Sequence, residues 1–443
     1  MTLIVVGFIV IFLLVLMSGF PVGFGLGFLA IGMLTLTRSL DMALTVAIEK
    51  AYTTLDSEVL VAIPLFIFVA QLISATGMGK RMFDSAKVFL GFFKAGLGVG
   101  TILSSGLFAA MTGSSFVSAS TMGMIAIPEL RKAKYSDTII SSAITAGGSL
   151  GSVIPPSIVM ILYGFLTDES IGKLFMAGVI PGLLMIVLYS FALVLLIGFS
   201  TPKEVKTTLA QMSGSSDAVL MEEESLTKIQ AFKEAFWAFM APVIILGGIY
   251  LGIFTTNEAA AVAVIYCIIL GLFVYKSLDL KALFSAMMSA ASTSAMVTIV
   301  VIGGAMLGQV IVDGRIPQLV IELIIAKDFS PYVLLLFINI ILFGLGMFME
   351  VLALIYLSVP LLYPLVLHMG WDNIWFAVII MINFNLALIT PPMGGVLYIV
   401  AQVGNIPFPT VVKGALLPIV VLLLVLILVV LYPPIATWIP SLM

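Results

Sequence analysis

Apolar runs long enough to cross a lipid core follow one another along nearly all of this sequence, and no soluble fold can bury that much. The single long polar stretch is "STPKEVKTTLAQMSGSSDAVLMEEESLTK", residues 200–228. Of the 443 residues, 62% are hydrophobic and 9% charged, with a mean hydropathy of +1.28. Such a chain is an all-α polytopic membrane protein whose surroundings are a lipid bilayer. The runs are continuous rather than alternating in period two, which excludes a transmembrane β-barrel. A formal net charge of −3 leaves no footprint for nucleic acid. The first run, 3–17, has neither a basic flank nor a small-residue cleavage site, so it is expected to remain as a spanning helix rather than leave as a signal peptide. The lone cysteine, Cys267, sits in an apolar run and is expected to pack as a small buried hydrophobe.

Within this apolar background "GGSLGSVIPPSIVMILYG", residues 147–164, stands out. Pro155 and Pro156 each lack a backbone N–H and crowd the preceding turn, so a helix must break just before them. The break recurs in "NFNLALITPPMGGVLYIVA", residues 383–401. Pro155-Pro156 and Pro391-Pro392 are offset by 236, and the same offset carries Pro128 to Pro364, Tyr135 to Trp371 and Met111 to Met347. A register this long implies duplication. The expected division is a first repeat at 1–199, a polar cytoplasmic linker at 200–230 and a second repeat at 231–443.

Each repeat is expected to contain two spanning helices, an amphipathic segment, a third spanning helix, an apolar pair meeting at a glycine-rich tip, a broken helix and a last long helix. The amphipathic segments, 41–58 and 277–292, are expected along the membrane surface. The pairs are 95–128, around "AMTGSSFVSAST", and 331–364, around "GLGMFMEVLA". Each arm of about 15 residues falls short of the roughly 20 needed to cross, so the pairs are expected as re-entrant hairpins. With the N-terminus outside and five crossings per repeat, 14 of the 19 Lys and Arg fall inside and 5 outside. Five is odd, so the repeats are inverted and both termini are expected on the outer, periplasmic face.

Broken helices and hairpin tips at membrane depth expose backbone, which is tolerated where it lines a binding cavity. Freed carbonyls and hydroxyls suit a hard cation such as Na⁺, and half-helix N-termini suit an anion. The candidate Na⁺ residues in repeat one are Gly113, Ser114 and Ser115 at the tip, with Gly148, Ser149, Gly151 and Ser152 before the prolines. In repeat two they are Gly344, Gly346 and Glu350, with Asn385 and Thr390. Candidate substrate contacts are Ser114, Ser152, Ser157, Thr390 and Gly394. Glycine and serine also serve close helix packing, and Glu350 has the alternative role of capping freed amides. Glu58, Glu258, Asp313 and Arg315 fall near helix ends, where interfacial roles are expected; for Gln71, Gln309 and His368 a structural role is expected.

Taken together, "MTGSS", "GGSLGSVIPPS", "GIFTTNEAAAVAVIY" and "LITPPMGGVLY" resemble the large membrane (M) subunit of tripartite ATP-independent periplasmic (TRAP) transporters, the DctM-like family. The resemblance covers essentially the whole chain. It implies an elevator-type, sodium-driven importer of organic acids such as C4-dicarboxylates or sialic acids, in a bacterial inner membrane. It implies two partners: a small membrane (Q) subunit and a periplasmic substrate-binding (P) protein. The chain opens with its own first helix, so the small subunit is not expected to be fused to it. By the same resemblance the sodium sites correspond to the Ser114–Ser115 and Gly346–Thr390 regions, and the mobile transport domain to 95–166 and 331–403. The alternative is a sodium/proton or sodium/anion transporter of related inverted-repeat fold working without a binding protein. The antiporter form would want a buried Asp or Lys at the crossing of the breaks, which "GSLGSVIPPS" and "LALITPPMGG" lack. An intramembrane enzyme is not expected, because the chain has one His, one Cys and no HExxH or GxSxG.

Overall fold

The computed structural model describes residues 20–199, 228–327, 329–392 and 394–443. The first apolar run and most of the polar linker lie outside the described residues. All regular structure among them is helical. In the first half, α1 (Val22–Thr37) and α2 (Leu40–Leu55) lead to α3 (Glu58–Thr76) and the short α4 (Met78–Leu90). The helix pair α5 (Gly96–Thr112) and α6 (Ser115–Lys132) follows. Then α7 (Asp137–Ser149) ends in a 3-10 turn (Leu150–Ser152), and the chain resumes as α8 (Ile158–Thr167) and α9 (Ile171–Phe199). The second half comprises α10 (Lys228–Tyr250), α11 (Thr256–Ile269) with a π-helical end (Leu270–Val274), α12 (Leu280–Asp313) and α13 (Ile316–Lys327). It continues with α14 (Pro331–Gly346), α15 (Val351–His368), α16 (Asn373–Leu388), α17 (Gly395–Gly404) and α18 (Phe408–Leu431).

Local chemistry sets these boundaries. Oxygen side chains at the helix starts accept from orphan amides: Ser136 from Ile139, Ser330 from Val333, Asp372 from Trp375. Thr255 and Glu258 close a reciprocal capping box at the start of α11. Gly77 and Gly113 end α3 and α5 in the left-handed conformation, with φ of +70° and +59°. The helices that run into Pro155-Pro156 and Pro391-Pro392 both stop before them, as expected, at Ser152 and Leu388.

Among the described residues, seven helices are long and apolar enough to cross a membrane: α3, α9, α10, α11 with its π-helical end, α12, α15 and α18. The chain is a multi-pass membrane protein. Around its outside, α1, α2 and α12 show large apolar side chains such as Phe24, Phe28, Ile48, Tyr52, Phe284 and Met287, which in a bilayer face lipid. The broken helices lie at the centre: Ile140–Ser149 of α7 and Trp375–Leu388 of α16 are buried throughout. Helix α7 is enclosed by α5, α6 and α18, and α17 packs on α6. Cys267 is fully buried. Helix α12 packs α1 on one side and α15 on another. At the first of these contacts backbones meet, because a Cβ on Gly303 would stand 2.2 Å from the Gly23 carbonyl oxygen.

The element bounds repeat with the sequence offset. Adding 236 to Ser115–Lys132 gives 351–368, the bounds of α15, and adding it to Asp137 gives 373, the first residue of α16. The same shift brings α8 to within one residue of α17 and α4 to within two of α13.

Three features differ from the sequence expectation. Segment 277–292 is not a separate surface helix: from Leu280 it is continuous with the crossing helix in the 34-residue α12. Its counterpart does separate, since α2 and α3 are interrupted at Asp56 and Ser57. The arms of the pairs are longer than 15 residues, at 17 and 18 in the first and 16 and 18 in the second. Finally, α4 and α13 form short helices between the third long helix of each half and the pair, where the sequence reading named no element.

Candidate functional site

The first helix pair is seated on the first break by glycines that leave no room for a side chain. A Cβ on Gly113 would lie 2.2 Å from the Pro156 carbonyl oxygen, and one on Gly151 would lie 2.5 Å from the Ser114 carbonyl carbon. Tip and 3-10 turn are therefore in backbone contact. Serine hydroxyls lie on both sides of the contact: Ser115 Oγ donates to Ser152 Oγ at 3.4 Å, and Ser157 Oγ to the Ser152 carbonyl at 2.9 Å. Ser114 Oγ accepts from the Val117 amide, capping α6. Ser115, Ser152 and Ser157 are all buried. Of the remaining candidates in this half, Gly148 packs on Ala119. Ser149 turns the other way, its hydroxyl bonded to Tyr189 on α9 at 3.0 Å. The sequence therefore brings Gly113, Ser114, Ser115, Gly151, Ser152 and Ser157 together and leaves Gly148 and Ser149 as packing and anchoring positions.

The second pair meets the second break in a similar place with different chemistry. Gly346 lies against Ala387, where a Cβ would fall 2.6 Å from that methyl. Glu350 forms the N-cap of α15 and makes no side-chain cap hydrogen bond, so the alternative role of capping freed amides is not what it does here. Gly344 has open space around it and is not part of the close contact. Thr390 Oγ1 donates to the Leu386 carbonyl at 2.6 Å. The carbonyl oxygens of Thr390 and Leu388 both point toward Gly394, 2.9 and 3.1 Å from where its Cβ would be. Asn385 is wholly buried, and neither its Oδ1 nor its Nδ2 has a hydrogen-bond partner among the described residues. A carboxamide held that way is expensive, about 1–3 kcal/mol, and needs a reason. The 3-10 turn of the first break packs on α16, so the two breaks are neighbours.

Three polar contacts were not singled out from the sequence. Asn383, also buried, donates through Nδ2 to Asn339 Oδ1 at 2.8 Å, tying α14 to α16. Tyr163 OH donates to Asn373 Oδ1 at 2.6 Å, and Asn373 Nδ2 to Glu169 at 3.0 Å, tying the end of α8 to the start of α16. The third is the Ser149–Tyr189 bond. Isolated carboxamides in apolar runs were the available signal, but pairing between distant helices is invisible without the fold.

Comparison with known proteins adds to this geometry. The family described as "Tripartite ATP-independent periplasmic transporter, DctM component" matches residues 9–435. The sialic acid TRAP transporter large permease protein SiaM of Vibrio cholerae is 36% identical over 427 residues, covering 96% of each chain. The C4-dicarboxylate TRAP transporter large permease protein DctM of Pseudomonas aeruginosa is 32% identical, covering 88% of each. Among solved structures, the YdaH transporter of Alcanivorax borkumensis superposes with a TM-score of 0.64 at 14% identity, over 90% of this chain and 89% of that one; this likeness concerns the fold alone.

Proposed function

The chain belongs to the DctM-component family of tripartite ATP-independent periplasmic transporters, and on that premise we propose that it is the membrane-spanning subunit of a sodium-driven importer of an organic acid. It is a transport subunit and not an enzyme. A periplasmic binding protein delivers the acid, and a small membrane subunit covers part of the apolar outer surface. The cargo class is a carboxylate of the sialic acid or C4-dicarboxylate kind, which relatives carry in their names.

The seating of the first tip on the first break carries this reading. Ser115 and Ser152 present neutral hard oxygens at a point where the helix backbone is interrupted, and that donor set fits Na⁺. The residues that would hold sodium are Ser114, Ser115 and Ser152 in one half, with Thr390 and the unpartnered Asn385 in the other. Sodium supplies the gradient energy. The carboxylate of the cargo would meet Ser157 and Gly394 at the N-termini of α8 and α17, where unpaired amides favour an anion. The matching element bounds at offset 236 support two inverted repeats. Tips that close on helix breaks support re-entrant hairpins, with 95–166 and 331–403 as the moving unit. The charge asymmetry supports termini in the periplasm.

Reconstitution of the complex in proteoliposomes tests this. Uptake is expected to follow an inward sodium gradient, and replacing Na⁺ with K⁺ on both sides is expected to abolish it. Uptake that persists unchanged in K⁺ overturns the sodium reading. Ser115→Ala and Thr390→Ala, each lacking one oxygen, are expected to raise the sodium concentration for half-maximal uptake several-fold.

A further inference from the structure

A second cluster of charged and aromatic side chains lies where α3 gives way to α4. Arg81, four residues into α4, pairs with Glu234 on α10 at 3.2 Å. Its guanidinium also lies over the ring of Tyr275, 4.3 Å from the centroid. Tyr275 in turn donates to the Glu234 carbonyl at 3.0 Å. The joint itself is Gly77, left-handed at φ +70° with nothing within 4 Å of where a Cβ would stand. Beside it is a cavity of about 370 Å³ bordered by Gly77, Lys80, Arg81, Asp84 and Glu234.

Helix α4 packs both on the first hairpin and along α10, and this tie crosses the second of those seams. Helix α4 is fastened to the first hairpin: Ser104 Oγ donates to the Met82 carbonyl at 3.3 Å, Lys87 pairs with Glu129 on α6, and Gly79 lies against the Phe108 ring. Helix α10 is fastened to α11, where Tyr266 OH donates to the Trp237 carbonyl at 2.7 Å. The bond from Ser277 Oγ to the Thr76 carbonyl, 2.9 Å, stops short of the joint and holds the end of α3. The Arg81–Glu234 pair runs directly from α4 to α10. Arg81 sits about 6 Å beyond the pivot, at 1.5 Å per residue, so a swing of α4 by about 30° moves it about 3 Å, enough to part the pair. The cavity gives the freed side chain somewhere to go.

The matching joint of the second half is built otherwise. Gly77 plus 236 is Asp313, the last residue of α12. Asp313 pairs with Arg38 at 3.0 Å and accepts from Gln309 at 2.9 Å. That tie joins the ends of α1 and α12 and does not reach α13. The stretch that would match α10 at this offset, the first apolar run, lies outside the described residues.

We propose that Arg81 is a conformational latch: paired with Glu234 and stacked on Tyr275, it holds α4 and the first hairpin in the arrangement seen here, and it releases when the hairpin unit moves. This rests on the moving-hairpin reading above. Losing the pair and the stacking is expected to shift the balance between the two arrangements about three- to ten-fold.

The test uses the complete complex carrying Phe348→Cys at the exposed second tip, with Cys267→Ser. A membrane-impermeant thiol reagent is applied from each face in turn, and the ratio of the two labelling rates is read. Arg81→Gln and Glu234→Gln are each expected to shift that ratio three- to ten-fold in one direction. The exchange Arg81→Glu with Glu234→Arg is expected to bring it back to within two-fold of the parent, a recovery that a merely structural role would not produce. Unchanged ratios in both single variants, in a parent that responds to sodium and substrate, overturn the latch. A parent whose labelling ignores both overturns the moving-hairpin reading, and the latch with it. Should Arg81→Gln fail to accumulate, Glu234→Gln keeps the arginine in place and decides the matter alone.

Discussion

Gly77 and Gly113 share a left-handed backbone and differ in their surroundings. At Gly77 an added methyl meets open space, whereas at Gly113 it meets the Pro156 carbonyl at 2.2 Å. Gly77→Ala is therefore expected to lose only the backbone term, about 1–2 kcal/mol. Gly113→Ala adds overpacking against a rigid carbonyl, so a total of about 3 kcal/mol or more is expected, with loss of uptake. Thermal unfolding in detergent ranks the two; equal losses would mean that the tip does not sit on the break. Asn385 separates stability from function. Its amide has no partner among the described residues, so Asn385→Leu removes an unsatisfied group and is expected to leave the melting temperature unchanged or raise it. Sodium-dependent uptake is expected to fall at the same time. Asn383→Leu is the contrast, since it breaks the bond to Asn339 and is expected to destabilise by about 1–3 kcal/mol.

Among the helices, the crossing of α1 and α12 depends on backbone contact at Gly23 and Gly303. Gly303→Ala is expected to push the helices apart and destabilise by about 1–3 kcal/mol. Gly32→Ala on the same α1, where nothing lies within 4 Å, is expected to be neutral or to gain up to about 1 kcal/mol of helix propensity. Unfolding of the two variants side by side checks this. How far such elements could be read from the sequence depended on the punctuation. The double prolines stopped helices whatever the surroundings, so both breaks were legible, as were the turns between the paired helices near Gly113 and Gly346. Helix α12 was misread because nothing between Leu280 and Ile302 is Gly or Pro. Its Ala, Ser and Met residues carry the helix straight through the change from amphipathic to wholly apolar. In the other half Asp56 and Ser57 supply the stop that separates α2 from α3. Helix α4 was missed for a different reason: "MGKRMFDSAKVFL" is charged on one face and too short to cross, and its buried side at Met78, Met82 and Phe83 becomes apparent only where the helix packs on α5. In the candidate site the serines were legible as residues, but the outward turn of Ser149 toward Tyr189 depends on a helix 40 positions away.

At the scale of the whole molecule, sodium and substrate are expected to change which face reaches a cysteine placed at Phe348; identical labelling in all conditions would rule out a moving hairpin unit. On the proposed reading, in which a binding protein delivers the acid and a small subunit completes the assembly, the purified single chain is expected to show no uptake until both are added. The continuity of α12 also has a mechanical side. Thirty-four residues in one helix make a rod about 51 Å long, against a hydrocarbon core of about 30 Å. Upright it would overshoot by some 20 Å, and the tilt needed to hide all of it exceeds the usual range of up to about 40°. Its excess length therefore belongs at the lipid headgroups, in the half that carries Phe284, Met287 and Met288 on its surface. A thinner bilayer can be met in the first half by bending at Asp56 and Ser57. In the second half it can be met only by leaning the whole beam, and α15, packed along that beam, must lean with it. Membrane thickness thus acts on the two halves unequally, as a load on a hinged strut at one end and a rigid one at the other.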